Sequence, residues 1–192
     1  EIPLDSRRCL ISPREGGGHV RSLADGVRAA TREGADVIVL GRADDPEALA
    51  VALDAVSSGA LVVVTITAAG IAPAVERIIE LVARVRGDAA RPAVADALLG
   101  GIGQVLCRRV TGGRVAAYEV LVSTGPVAGL VRDSKTFQLA SVMQTGRPQG
   151  MATLTDALAE LVKRRVVAGD EALRRSTAPQ ELRALLSQAT DA

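Results

Sequence analysis

The chain has 192 residues and 48% hydrophobic content, which suits one compact domain or one domain with a small appendage. A net charge of +1 supplies no overall field that would select a nucleic acid or a membrane, and 1% aromatic content leaves no platforms for base stacking. No apolar run approaches the ~20 residues a membrane-spanning helix needs, and Glu1-Ile2-Pro3-Leu4-Asp5 is not the opening of a secretory leader, so a cytosolic protein is expected.

Cys9-Leu10-Ile11 reads as a short strand, followed by a flexible glycine turn, Gly16-Gly17-Gly18-His19. Ser22 is placed to N-cap a helix that runs to about Arg32, with Leu23, Val27 and Ala30 on one face and Gly34 ending it. Val37-Ile38-Val39-Leu40 is a continuous apolar run, the pattern of a strand buried on both faces of a parallel sheet. Asp45 then caps a helix with Pro46 at its first position, carrying Leu49, Leu53 and Val56 and ending at Gly59. A second apolar strand, Leu61 to Ile66, precedes a helix from about Ile71 to Val85. Strand and helix alternating at this rhythm predict a mostly parallel α/β sheet with right-handed crossovers and helices on both faces.

After Gly87 the pattern changes. Pro92 to Leu99 reads as helix, and Gln104–Arg109, Gly112-Gly113 and Arg114–Val122 read as a β-hairpin. Helical patterns follow over 126–133, 139–145, 154–168, 171–175 and 180–187. The chain is therefore divided at 125/126, into a sheet core over 1–125 and a helical region over 126–192. Cys9 and Cys107 match neither a disulfide framework nor a zinc pattern, and both are expected to be buried free thiols.

Several segments, in order over about 1–175, resemble the PilT-type pilus-retraction motors of the type II secretion and type IV pilus ATPases. Cys9–Glu15, His19 and Val27–Gly41 look like the stretch leading through that family's Walker B strand. Ser58–Thr67 looks like its histidine-box strand, and Val75–Ile79 is similar to the helix that follows. Gly112–Val120 is the most specific match, and Pro126–Asp133, Gln144-Thr145-Gly146 and Gly150–Leu154 complete the series. The resemblance implies a RecA-like core packed as a ring, usually a hexamer, in contact with an inner-membrane pilus or secretion platform. It implies ATP and Mg²⁺ as cofactors, hydrolysis that drives pilus retraction and twitching motility, and a cytoplasmic location peripheral to the inner membrane through partners. No nucleic-acid partner is implied.

Set against that resemblance, the catalytic positions are degenerate. The phosphate cradle G-x-x-x-x-G-K-[ST] does not occur; in the family it lies upstream of where this chain begins, which implies a fragment or a gene product without its front half. Glu1 matches the last carboxylate of the family's acidic box. Where the family has Gly-Glu after the Walker B strand, this chain has Gly41-Arg42, and a cation neither organises Mg²⁺ nor accepts a proton. The box histidines correspond to Ala60 and Thr67. Arg28, Arg32 and Arg77 match family arginines that could reach a neighbour's γ-phosphate, or could be solvated helix arginines. Asp44 and Asp45 could form a displaced metal site, although helix capping explains Asp45 more simply, and no metal is assigned. Three readings follow: a non-hydrolysing motor subunit acting in ring assembly or regulation beside an active paralogue, an active motor whose P-loop half lies outside this chain, or a protein-interaction scaffold. A sheet core without its first strands should also expose Val37–Leu40 and self-associate.

Overall fold

The computed structural model describes residues 8–188. They divide into two compact units, one formed by residues up to 66 with 80–93 and the other by 67–79 with 94–188.

In the first unit, helix α1 (Leu23–Arg32) starts where expected: Ser22 Oγ accepts the Asp25 N–H at 3.0 Å. It ends at Gly34, whose φ of +75° is costly for any residue with a Cβ. Strand β1 (Val37–Leu40) pairs in parallel with β2 (Leu61–Val64), with Val37 opposite Leu61 and Val39 opposite Val63. Between them runs α2 (Pro46–Ser57), N-capped by Asp45, which accepts the Glu47 N–H at 2.9 Å. Val27 of α1 and Ala52 and Ala55 of α2 pack onto Ile38 and Leu40, so both helices cover one face of the pair. The other face is bare. Val37, Val39, Leu61 and Val63 are 53%, 66%, 46% and 43% exposed. Burial of this pair on both faces is thus corrected to burial on one, because among the described residues of this unit nothing packs on the second.

Two further expectations for this unit are corrected. No strand forms at 9–11, and Leu10 is 97% exposed: a strand needs a paired neighbour, and apolar composition alone does not supply one. Cys9 is exposed, while Cys107 is buried as expected. Helix α3 (Ile71–Arg86) passes between the units, and its last residue belongs to the first, where Arg86 donates to Ala50 O at 2.5 Å and Asp54 Oδ1 at 2.6 Å.

The second unit is built on a hairpin. From the first unit's 3₁₀ turn (Gly87–Ala89), α4 (Ala90–Ala97), whose residues from 94 on belong to the second unit, leads into β3 (Gly100–Arg108), antiparallel to β4 (Arg114–Val122) in the register Arg108 opposite Arg114. The turn uses Gly112 and Gly113 at φ +90° and +76°. One hairpin face lies on three C-terminal helices, α7 (Leu154–Lys163), α8 (Gly169–Arg175) and α9 (Pro179–Gln188). Cys107, Ala117, Leu158, Ala172 and Leu182 meet there as a buried cluster. Between hairpin and bundle lie α5 (Gly125–Arg132) and α6 (Leu139–Thr145). Helix α7 stops five residues short of the expected 168: Arg165 takes φ +57°, and the chain turns so that Val167 is buried in the cluster.

Candidate functional site

In open α/β sheets, ligands bind beyond the carboxyl ends of parallel strands. At that end of β1 lies Gly41-Arg42-Ala43-Asp44-Asp45, stitched to β2 by two contacts. Ala43 N–H donates to Thr65 O at 2.9 Å, and Thr65 Oγ1 donates to Gly41 O. Arg42 is exposed, and its Nε donates to Asp44 Oδ2 at 2.9 Å. Asp45 is spent on the α2 cap. Neither aspartate is therefore an open pair of oxygens for a cation, and no group of three or more His, Cys, Asp or Glu able to hold a metal occurs among the described residues.

The glycine turn is not a cradle either. Gly17 N–H donates to Val20 O at 2.7 Å, His19 N–H to Glu15 O at 2.9 Å and Val20 N–H to Glu15 O at 3.2 Å. His19 closes the turn from within, its Nδ1 accepting the Glu15 N–H at 3.1 Å. Amides consumed this way do not face a phosphate. The segment expected to be flexible is a small hydrogen-bonded loop.

The three arginines are separate in kind. Arg28 on α1 bonds Glu47 at 2.6 Å and Asp25 at 3.3 Å, and the Glu47 hydrogen bond raises its already high pKa further. Arg32 stands exposed in the last turn of α1, where a cation complements the helix dipole. Arg77 is exposed on α3. Ala60 precedes β2 and donates its N–H to Ala55 O at 3.1 Å as part of the end of α2; Thr67 follows β2 and is exposed. The two lie beyond opposite ends of one strand. Glu1 lies outside the described residues. None of these residues lines the groove between α7 and α9, whose walls include Arg147, Asp156, Lys163 and Leu186. Taken together, these groups do not fit a Mg²⁺–nucleotide: the Gly17, His19 and Val20 amides are bonded within the loop, Asp44 is paired, Asp45 caps α2, and a cation stands at the end of β1.

One polar residue of note escaped the sequence reading. Glu119 on β4 points to the packed side of the hairpin and accepts the Ile71 N–H at 2.8 Å, the first amide of α3. Burial pushes its carboxyl pKa up, partly offset by that hydrogen bond. The room comes from Gly103, where a Cβ would lie 3.1 Å from the carboxylate. A single acid between inward-facing Ala117 and Leu121 was the available signal.

Comparison with known proteins completes the site. Residues 17–112 match the family described as Type II/IV secretion system protein. The chain is 43% identical over 148 residues to the uncharacterized protein YggR of Escherichia coli (strain K12), covering 77% of this chain and 45% of that protein. It is 36% identical over 177 residues to a twitching motility protein of Neisseria gonorrhoeae, covering 92% and 47%. A crystal structure of the pilus retraction motor PilT with bound ADP superposes with a TM-score of 0.78 at 32% identity, over 88% of this chain and 47% of that one. The chain spans about half the length of the relatives it matches.

Proposed function

The chain belongs to the PilT-type family of type II/IV secretion ATPases, matching its C-terminal RecA-like motor portion, and from that membership we propose that it is a motor subunit or fragment that does not itself hydrolyse ATP. Its role would be ring assembly or regulation of an active paralogue, in the cytoplasm at a pilus or secretion platform. The observation carrying this reading is Arg42, a fixed cation ion-paired to Asp44 at the end of β1, where the family resemblance expects a glutamate. Phosphoryl transfer needs negative groups there to organise metal and water. Ala60 and Thr67, in the histidine positions, lack an imidazole to meet a phosphate. Arg28, Arg32 and Arg77 then serve subunit contacts, and Glu1 keeps the place of the last carboxylate of the family's acidic box. Residues 1–125 would form the RecA-like core and 126–192 the helical region.

A second reading is favoured by one fact, the half-length match to relatives. In it, a P-loop half outside this chain completes an active motor with ATP and Mg²⁺. A titration of the purified chain with a fluorescent ATP analogue and Mg²⁺, followed by steady-state turnover, separates the two. The first reading expects no competable binding and no phosphate release. Sustained turnover by this chain would remove it, and restoration of turnover on adding a P-loop-bearing half would establish the second.

A further inference from the structure

The tip of the hairpin and the end of α7 come together through one backbone bond, Val110 N–H to Val166 O at 3.0 Å. That contact gathers Arg108, Arg109 and Arg114 from the hairpin with Lys163, Arg164 and Arg165 from α7 and the turn after it, all exposed. None of the six has an ion-pair partner among the described residues. Residues 99–118 contain no acid at all. On the neighbouring helices, Asp170 and Glu171 are engaged with Arg174 and Arg175 of their own helix. With the whole chain at +1, six cations in one place leave the remainder net acidic, so the charge is strongly polarised.

The hairpin register makes this costly. Val120 exchanges both backbone bonds with Ala152, on the side away from β3. Ile102–Val120 is therefore a pair whose amides point outward, and so is every second pair from it, ending at Arg108–Arg114. Arg108 N–H indeed points outward, to Glu171 Oε1 at 3.2 Å. Outward pairs bring side chains closest, and two arginines directly opposite each other destabilise a hairpin. Between these cations the turn carries Val110, 64% exposed, with Thr111, Gly112 and Gly113 beyond it.

We propose that this tip is a docking surface for an anionic phospholipid bilayer, the six cations meeting headgroup phosphates and Val110 entering the interface. A turn of exposed residues suits an extended anionic plane. Its long side chains have no ion-pair partner among the described residues, which suits diffuse charge better than a single stereospecific phosphate. An exposed valine amid cations is unfavourable in water and favourable at a lipid interface. The scarcity of aromatic residues leaves no stacking platform for a nucleic acid. This surface is independent of whether the chain binds nucleotide.

The test is co-sedimentation of the purified chain with phosphatidylcholine vesicles, with and without about 30 mol% phosphatidylglycerol. Binding is expected only to the anionic vesicles and should weaken as salt shortens the screening length toward ~8 Å. The triple variant Arg109→Gln, Arg114→Gln, Arg164→Gln should bind about a hundredfold more weakly, at roughly fivefold per cation. A control with Arg84→Gln and Arg183→Gln, exposed elsewhere, should bind like the parent. Arg114→Gln alone should raise the melting temperature by removing the opposed pair, which separates loss of binding from loss of fold. The proposal is overturned by equal binding to neutral vesicles, by parental binding of the triple variant, or by a lowered melting temperature for Arg114→Gln. It is also overturned by displacement with millimolar inorganic phosphate, which would indicate a discrete anion site. Binding to polyglutamate but not to vesicles would overturn it in favour of an acidic protein partner.

Discussion

At the scale of single residues, Glu171 sits 6% exposed and accepts hydrogen bonds from Arg175 Nε at 3.0 Å, Arg108 N–H at 3.2 Å and Arg174 at 3.1 Å. The Arg175 bond, then the Arg108 amide, hold its carboxyl down to about 2. A depressed acid adds stability that is complete above its unfolded value of about 4.5 and is lost as pH falls toward 2. Glu171→Gln should therefore lower the melting temperature at pH 7 and flatten its decline between about pH 4.5 and 2, as read by circular dichroism across that range. Glu119 runs the other way. Its pKa is raised by burial, so its ionisation costs stability as pH rises from about 4.5 through the raised value. Glu119→Gln keeps an acceptor for the Ile71 amide without the charge, and should melt at or above the parent temperature at pH 7. Glu119→Ala leaves that amide unpaired beside a 4%-exposed Ile71 and should cost on the order of 1–3 kcal/mol in denaturant unfolding.

At the scale of elements, the caps act as local chemistry predicts. Ser22 and Asp45 each satisfy an orphan amide, and Gly34 takes the left-handed conformation that ends α1. Gly34→Ala forces a Cβ into φ +75° and should destabilise by about 1 kcal/mol in urea unfolding. The β1–β2 pair shows where local pattern misleads. Ile38 and Leu40 are packed against α1 and α2, whereas Val39 and Val63, equally apolar, face outward. Val39→Lys should thus change stability by less than about 0.5 kcal/mol, while Ile38→Lys, burying an unpaired cation, should abolish folding of this unit. Strand β3 begins at Gly100, four residues before the expected Gln104, because its glycines have packing partners: a Cβ on Gly103 would press on Glu119, and one on Gly100 would lie 2.7 Å from Leu121 O.

At the scale of the whole molecule, the exposed apolar row Val37, Val39, Leu61 and Val63 is one contiguous face of a two-stranded sheet. Parallel sheets ordinarily bury both faces, and a bare one is a driving force for association. Light scattering over a concentration series should show reversible self-association that Val39→Lys weakens; a monodisperse monomer for the parent would remove the expectation. No described helix is long and apolar enough to cross a membrane.

The α/β class, the alternation from α1 to α3, the hairpin with its glycine turn and the capping residues were all legible in the sequence. Each rests on periodicity or on chemistry within a few residues, which a linear pattern records. The family was legible for a related reason, since the order of short motifs survives even where catalytic residues have changed. The tertiary structure decided the rest. It showed that Cys9-Leu10-Ile11 is not a strand, that one face of β1–β2 is bare, and that Arg165 stops α7 so that Val167 can be buried. It also brought Glu119 to the first amide of α3 and Val110 to Val166 just after α7, contacts between residues far apart in the chain. Apolar runs say that burial is favourable, but only packing partners, which a sequence does not place, determine which face obtains it.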